Sequence, residues 1–403
     1  MSEGFLAGVR VLDLAMLGPN ALGGHLVDFG AEVIKIESPS GDYVRQMTWP
    51  IIHDEHGENS LMHLHLNRGK KSIVLDLKDD NDRDTFAELV QTADVVIEGM
   101  RPGFLDKIGF GADRLKELKS DIVVCSLSGY GATGPYKTLP SHGVAYDAWS
   151  GVVQPVVDDD GFTRIPPLVN VGITAGPAFA AMSILAALVR ARTTGEPAVM
   201  EVAQSDASAY FDWYRIESEK AHQRPESEVT GNASDDYVRR AAGLSGMWEG
   251  VRYQFYESSD GHVLFMASEQ LFWKNFCAGV DRMDLFEKWP GSKYADHARG
   301  NTELQIELRE IFATRTTNEW LAFADEHNTT IAPVNTSATI LDDPQFQDRL
   351  TWVGADRLGS DQLLVPIHVE GEEFPVPERA PDVGQHTDEV LGSLKPDSFK
   401  KES

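Results

Sequence analysis

Basic residues are scarce in this chain. Thirty-six Lys and Arg face 63 Asp and Glu across 403 residues, a formal net charge of −27. That excess of acid repels phosphate backbones and anionic lipid surfaces, so neither nucleic acid nor membrane is an expected partner. Cysteine is almost missing. Cys125 and Cys277 stand far apart in the apolar contexts VVCSL and NFCAG. Two such residues can build neither a disulfide framework nor a thiolate metal centre, and they read as buried thiols of a reducing compartment. No apolar run is long enough to span a bilayer. The opening Met1-Ser2-Glu3-Gly4 has no basic region or apolar core of a secretory signal, so a cytoplasmic location is expected. There is no metal motif, no P-loop and no GxSxG, and Leu17-Gly18-Pro19 stands where a GxGxxG would follow the first strand.

What is present is a long globular chain with 42% hydrophobic and 25% charged residues, more than one ordinary core. Its first third alternates short apolar runs with amphipathic stretches. Val9–Leu14, Glu32–Glu37, Ser72–Leu77, Asp94–Glu98 and Ile122–Leu127 read as strands, and Ala21–Phe29, Asp82–Thr92 and Ala112–Leu118 as helices. Continuous apolar strands separated by helices predict a parallel, doubly wound sheet. Pro177–Arg192 reads as a deeply packed helix with proline at its start and Gly195 past its end. Tyr210 to Met247 is polar and reads as a connector. A hairpin is predicted from Tyr253–Tyr256 and His262–Met266, with helices at Gln270–Gly279, Thr302–Thr314 and Thr317–His327. The expected organisation is a large domain from residues 1–224 and 331–403 and a small one from 225–330. In the tail, VPIHV reads as strand-like and HTDEVLGSL as helical.

The most specific signal is an ordered series of short motifs: GVRVLDL from Gly8, then Leu17-Gly18-Pro19; DFGAEVIKIE from Asp28; Gly41-Asp42 with Arg45; LNRGKKSIVLDLK from Leu66; ADVVIEGMRPG from Ala93; SLSGYGATGPY from Ser126; ILAALVRARTTG from Ile184; IAPV from Ile331; and GQHTDEVL from Gly384. In this order and spacing, from about residue 6 to 392, the chain resembles the family III coenzyme A-transferases (the CaiB/BaiF family) and the related α-methylacyl-CoA racemases. The resemblance implies an α/β fold with a Rossmann-like large domain around a parallel sheet, a smaller α+β domain, and two subunits interlocked as a dimer. It implies coenzyme A and its acyl thioesters as substrates, with no metal. In the transferases an aspartate attacks the donor thioester, and the mixed anhydride then gives an enzyme-bound thioester; covalent catalysis of this kind splits one hard exchange into easier ones.

That aspartate precedes a T-A-G-type turn just ahead of the helix carrying ILAAL. The matching residue here is Gly172, in VNVGITAG; a shift of one residue brings Val171 or Ile173, and none of the three has a carboxylate. Other positions depart too. Ser38 stands where arginine is common, Gly143 where aspartate is common after the residue matching His142, and the glycine-rich loop that covers the acyl intermediate in some members is not evident after residue 220. The expected role is therefore a non-nucleophilic subunit of a heteromeric CoA-transferase. A homologous partner subunit would bear the catalytic Asp. CoA would move from succinyl-CoA to a dicarboxylic acid such as (R)-benzylsuccinate, an acid of anaerobic toluene degradation. The alternatives are a homodimeric transferase or 2-methylacyl-CoA racemase with a displaced catalytic group, and a CoA-ester-binding regulatory homologue without turnover. His142 matches the acid/base histidine of the racemases, whose paired aspartate is absent. Asp147 is the nearest carboxylate, at a position usually neutral in the family, and is not expected to replace the nucleophile.

The resemblance also places CoA contacts at Leu75, Lys78, Gly99, Met100, Arg101 and Lys107. Cations there have a physical role, since phosphates need compact or forked donors and the global charge opposes a polyanion. The plainer alternative is that Lys70, Lys71 and Lys78 form a solvated face around a strand.

Overall fold

The computed structural model describes residues 4–47, 49–167, 170–229, 248–292, 297–372 and 375–394. The chain folds as two compact units, Met1–Phe211 with Asp348–Ser403, and Asp212–Gln347.

The first unit is built on a six-stranded sheet in which every pairing is parallel, in the order β10-β7-β6-β1-β2-β5. Its elements run β1 (Arg10–Asp13), α1 (Asn20–Asp28), β2 (Glu32–Glu37), a hairpin of β3 (Ile51–Asp54) and β4 (Gly57–Ser60), α2 (Leu61–Asn67), β5 (Lys71–Val74), α3 (Asp80–Thr92), β6 (Val95–Glu98), α4 (Phe104–Lys107), α5 (Ala112–Leu118), β7 (Val123–Ser128), α6 (Val144–Ser150), a hairpin of β8 (Val156–Val157) and β9 (Thr163–Arg164), α7 (Val171–Thr194), β10 (Ala198–Ala203) and α8 (Gln204–Phe211). Alternate strand residues feed two cores. Val11, Val33, Val95 and Cys125 pack with α1 and α7, while Leu12, Ile34, Val96 and Val124 pack with α3 and α5. Both faces are covered, which is why the strands read as unbroken apolar runs. The chain leaves β1 toward β2 and later returns to its other side at β6. The carboxyl ends of β1 and β6 thus flank a topological switch point, where open α/β sheets bind ligands.

The second unit carries an antiparallel sheet, β11 (Tyr253–Glu257), β12 (His262–Met266) and β13 (Ile331–Pro333), with helices at Gln270–Gly279, Thr302–Phe312 and Thr317–His327. Its core is aromatic, with Phe265, Trp273, Phe276, Phe312 and Trp320 fully buried. Both indole N–H groups are satisfied: Trp320 donates to the Phe312 carbonyl and Trp273 to that of Trp289, each at 2.8 Å. Cys125 and Cys277 are buried free thiols whose pKa values burial pushes up to about 12.

Four local expectations differ from the structure. The unit boundaries stand at 211/212 and 347/348 rather than 224/225 and 330/331, because β13 pairs with β12 and so belongs to the small unit. The start of the expected connector is helical: α8 runs to Phe211 and another helix spans Trp213–His222 with no buried residue, so hydropathy gives no sign of it; residues 230–247 of that stretch lie outside the described residues, as does most of the span after residue 220 where a covering glycine-rich loop would fall. In addition, α7 begins at Val171, not at Pro177, which is interior. Near that start the Gly172 N–H donates to an acceptor 25 residues away, described below. In the tail, HTDEVLGSL forms a helix over Thr387–Leu394, whereas VPIHV contributes only an isolated bridge at Val369.

Candidate active site

Two cavities open at the carboxyl ends of the strands. The smaller, about 190 Å³, is lined by residues following β1, β2, β5 and β6, among them Ser38, Leu75, Lys78 and Met100. The larger, about 500 Å³, is lined by residues following β1, β6 and β7, among them Gly99, Met100, Arg101, Tyr130, His142 and Tyr146. Met16 and Met100 line both. Of the six expected CoA contacts, five therefore fall on these two cavities. Lys107 lines neither; it ends the short helix α4 with its side chain exposed.

None of the described residues lining the larger cavity is acidic, whereas Arg101, Lys137 and His142 are basic. In a protein of charge −27 that lining is locally basic, a composition suited to an anion. Tyr43, Tyr130 and Tyr146 add aromatic walls. Lys137, Tyr130 and Gln204 were missed on the sequence alone. The first two lie inside or just after the SLSGYGATGPY motif, which was available as a signal; nothing in the sequence singled out Gln204.

Beneath the smaller cavity lies a buried polar network. The Lys35 ammonium is fully buried and donates to the Ala15 carbonyl at 2.8 Å, to Asn20 Oδ1 at 2.7 Å and to Asp42 Oδ2 at 2.9 Å. Glu37 accepts from the Asp42 N–H at 2.9 Å, from Ser72 Oγ at 2.5 Å and from Arg45 at 2.8 Å. Burial alone would raise the Asp42 pKa, but Lys35, Asn20 and the Val44 N–H outweigh it and hold the carboxyl below its usual range. The network ties the loop after β1 to the loop after β2, two walls of the site. Lys70 is equally buried, donating to Asp13 Oδ2 and the Asn20 carbonyl at 2.8 Å; burial, only partly offset by Asp13, brings its pKa down to about 8. The solvated-face alternative thus fails for Lys70. Lys71 is partly exposed and Lys78 exposed. A strand pattern cannot separate a lysine that snorkels to water from one paired inside.

Gly172 lies in the first turn of α7, buried against Tyr146 and Gln204, both lining residues of the larger cavity. There is no room on it. A Cβ there would stand 2.8 Å from Tyr146 Cβ, 3.0 Å from the Gln204 carbonyl oxygen and 3.3 Å from Asp147 Oδ1. Its N–H donates to Asp147 Oδ1 at 2.8 Å. Val171 and Ile173, the alternatives under a one-residue shift, have apolar side chains and bring no carboxylate. Gly143, where an aspartate is common, takes φ +38° and ψ −105°, a region open in practice to glycine alone. His142 lines the larger cavity without a carboxylate among the lining residues to pair with.

The sequence matches the model of CoA-transferase family III over residues 6–387, and the chain belongs to that family. It is 30% identical over 411 residues to the succinyl-CoA:mesaconate CoA-transferase of Haloarcula hispanica, covering 96% of both chains. It is 28% identical over 399 residues to BbsE, a subunit of the succinyl-CoA:(R)-benzylsuccinate CoA-transferase of Thauera aromatica, covering 95% of this chain and 92% of that one. Among solved structures, a CaiB/BaiF family protein from Brucella suis superposes with a TM-score of 0.78 at 24% identity, covering 98% of this chain and all of the other. The protein is thus a CoA-transferase by family, with CoA thioesters as the family's substrates, in the fold its motifs implied.

Proposed function

We propose that this chain is the non-nucleophilic subunit of a heteromeric family III CoA-transferase, and that a homologous partner supplies the catalytic Asp. One observation carries the reading: Gly172 has no carboxylate, and the space for a side chain is already filled by Tyr146, Gln204 and Asp147. A site that is packed shut does not lack its nucleophile by a single change. On the partner, the carboxylate oxygen attacks the thioester carbonyl carbon, the C–S bond breaks and CoA leaves as thiolate. The acyl donor is succinyl-CoA and the acceptor a dicarboxylic acid. Mesaconate and (R)-benzylsuccinate, in the names of two relatives, are both of that class, and the (R)-benzylsuccinate type is the one we assign here, because the relative named as a subunit uses it. The complex works in the cytoplasm, without a metal.

The interlocked dimer finds support in exposed apolar surface. Met182 and Val189 on α7, and Tyr210 and Phe211 on α8, are each more than half exposed. Large apolar side chains left exposed on neighbouring helices support a surface that a subunit covers. Native mass spectrometry of the complex from its source organism tests the assignment. A one-to-one complex with a homologous, aspartate-bearing second chain is expected; a homodimer of this chain alone would refute the subunit reading and favour a displaced catalytic group.

In this reading CoA lies along the strand ends, its adenine and phosphates near Leu75, Lys78, Gly99, Met100 and Arg101, while Lys107, exposed outside both cavities, takes no part. Replacing Arg101 by Ala removes one charge-assisted contact and should weaken CoA binding roughly tenfold. Salt should reproduce part of that loss in the unaltered protein. Calorimetric titration with CoA at two ionic strengths reads both; equal affinity before and after the substitution would remove Arg101 from the site.

A further inference from the structure

The Gly172 N–H is held by a carboxylate from another helix. Asp147, on α6, is fully buried. Its Oδ1 accepts from the Gly172 N–H at 2.8 Å and from Ser208 Oγ, on α8, at 2.6 Å. Ser208 Oγ in turn lies 2.9 Å from Ser150 Oγ, back on α6. Three helices therefore meet on one oxygen. The other oxygen, Oδ2, is buried and has no hydrogen-bond partner. Asn170, in the N-cap position of α7, makes no side-chain cap bond, and its Oδ1 is also buried without a partner. The local cap is idle, and a distant carboxylate does its work at the positive end of a 24-residue helix.

We propose that positions 147 and 172 form a single carboxylate site, which this chain fills from position 147, and that Asp147 is the positioning residue that keeps the floor of the larger cavity closed. The distances bring the two positions into competition. A Cβ on residue 172 would stand 3.3 Å from Asp147 Oδ1, so a carboxylate there would share a buried space with another. Two carboxylates that close cannot both ionise, and one must hold a proton or move away. Loss of the nucleophile and gain of the helix clamp are then two sides of one exchange. This stands on the geometry of α6, α7 and α8 whether or not a partner subunit exists.

The test is a double-mutant cycle read by urea unfolding at about pH 5 and pH 8, using Gly172→Asp, Asp147→Asn and the pair. Asparagine keeps the size of Asp147 and one accepting oxygen, removes its charge, and puts an amide NH2 in place of the other oxygen. Gly172→Ala reports the purely steric cost of a Cβ. Gly172→Asp should lower the urea midpoint further than Gly172→Ala does, and more at pH 8 than at pH 5, where a proton relieves the pair. Asp147→Asn in that background should recover at least half of the excess loss at pH 8 and flatten the pH dependence. If Gly172→Asp is recovered only as insoluble protein, a soluble double variant supports the proposal and an insoluble one overturns it. Additive midpoints with no dependence on pH would also overturn it, since steric crowding alone has no titration. A hydroxamate on Asp147 after incubation with succinyl-CoA and hydroxylamine would make it a nucleophile and end the clamp assignment. By contrast, a homodimer in the native mass spectrum would sink the subunit reading and leave this cycle untouched.

Discussion

The purified chain, given succinyl-CoA and a dicarboxylic acid, will transfer no CoA, and Gly172→Asp alone will not change that. Loss of an enzyme's nucleophile costs on the order of 10⁶ in kcat, so the expected signal is background hydrolysis. The substitution fails for three structural reasons. Its Cβ meets Tyr146 Cβ at 2.8 Å and the Gln204 backbone oxygen at 3.0 Å, and backbone does not yield as a flexible side-chain tip does. Its carboxylate would crowd Asp147, already bonded to Gly172 N–H and Ser208. And a nucleophile acts only with a thioester held in line and donors aimed at the developing oxyanion, all placed to within a fraction of an ångström. Here Ser38 lines the smaller cavity where an arginine is common, and Gly143 has taken a backbone conformation an aspartate could not share without strain. In the complex, removing the partner's aspartate should abolish turnover. Transferase rates near those of ordinary family members from Gly172→Asp alone would show that the site was intact.

The largest stability effect belongs to Lys35. Replacing it by Met removes a buried cation and three hydrogen bonds, to Ala15, Asn20 and Asp42. Breaking one side of a buried ion pair costs about 3–5 kcal/mol, because the remaining charge is left in a low dielectric. The loss has a pH signature. In the unaltered protein the Asp42 carboxyl is held below its usual range, so its contribution is present above the unfolded value near 3.8 and is lost as acid protonates it. Without Lys35, burial is opposed only by the Asn20 and Val44 hydrogen bonds, so the folded pKa moves up and the stability that Asp42 contributes above the unfolded value shrinks. The gap between the two proteins should therefore be smallest in acid and widen from about pH 4 upward. Urea midpoints across that range measure it. A deficit below about 1 kcal/mol at neutral pH would mean that the network does not hold the two loops.

Much of the large unit was legible because burial on both faces writes parallel strands as unbroken apolar runs. EVIKIE is a strand over the span expected, and ADRLKEL a helix. The strand-end position of Gly99, Met100 and Arg101 followed from the run ADVVIE and the turn-forming residues after it. What was not legible depends on contacts between distant residues. Nothing local shows that the Gly172 N–H finds an acceptor on Asp147, so GITAGP read as a turn before a helix rather than as its first turns. Nothing local distinguishes Lys70, sealed against Asp13, from Lys78, which meets water. The family resemblance placed Lys107 with the other cations, but the short helix α4 ends with its side chain exposed, away from the lining of either cavity.

The most direct measurement is chemical trapping on the native complex during turnover. Hydroxylamine added with succinyl-CoA converts an acylated carboxylate to a hydroxamate, and peptide mapping locates it. The modification should sit on one aspartate of a homologous partner chain, with every peptide of this chain unmodified, including those holding Asp147 and Gly172. A stoichiometric hydroxamate on any carboxylate of this chain would show that the chain supplies the nucleophile itself.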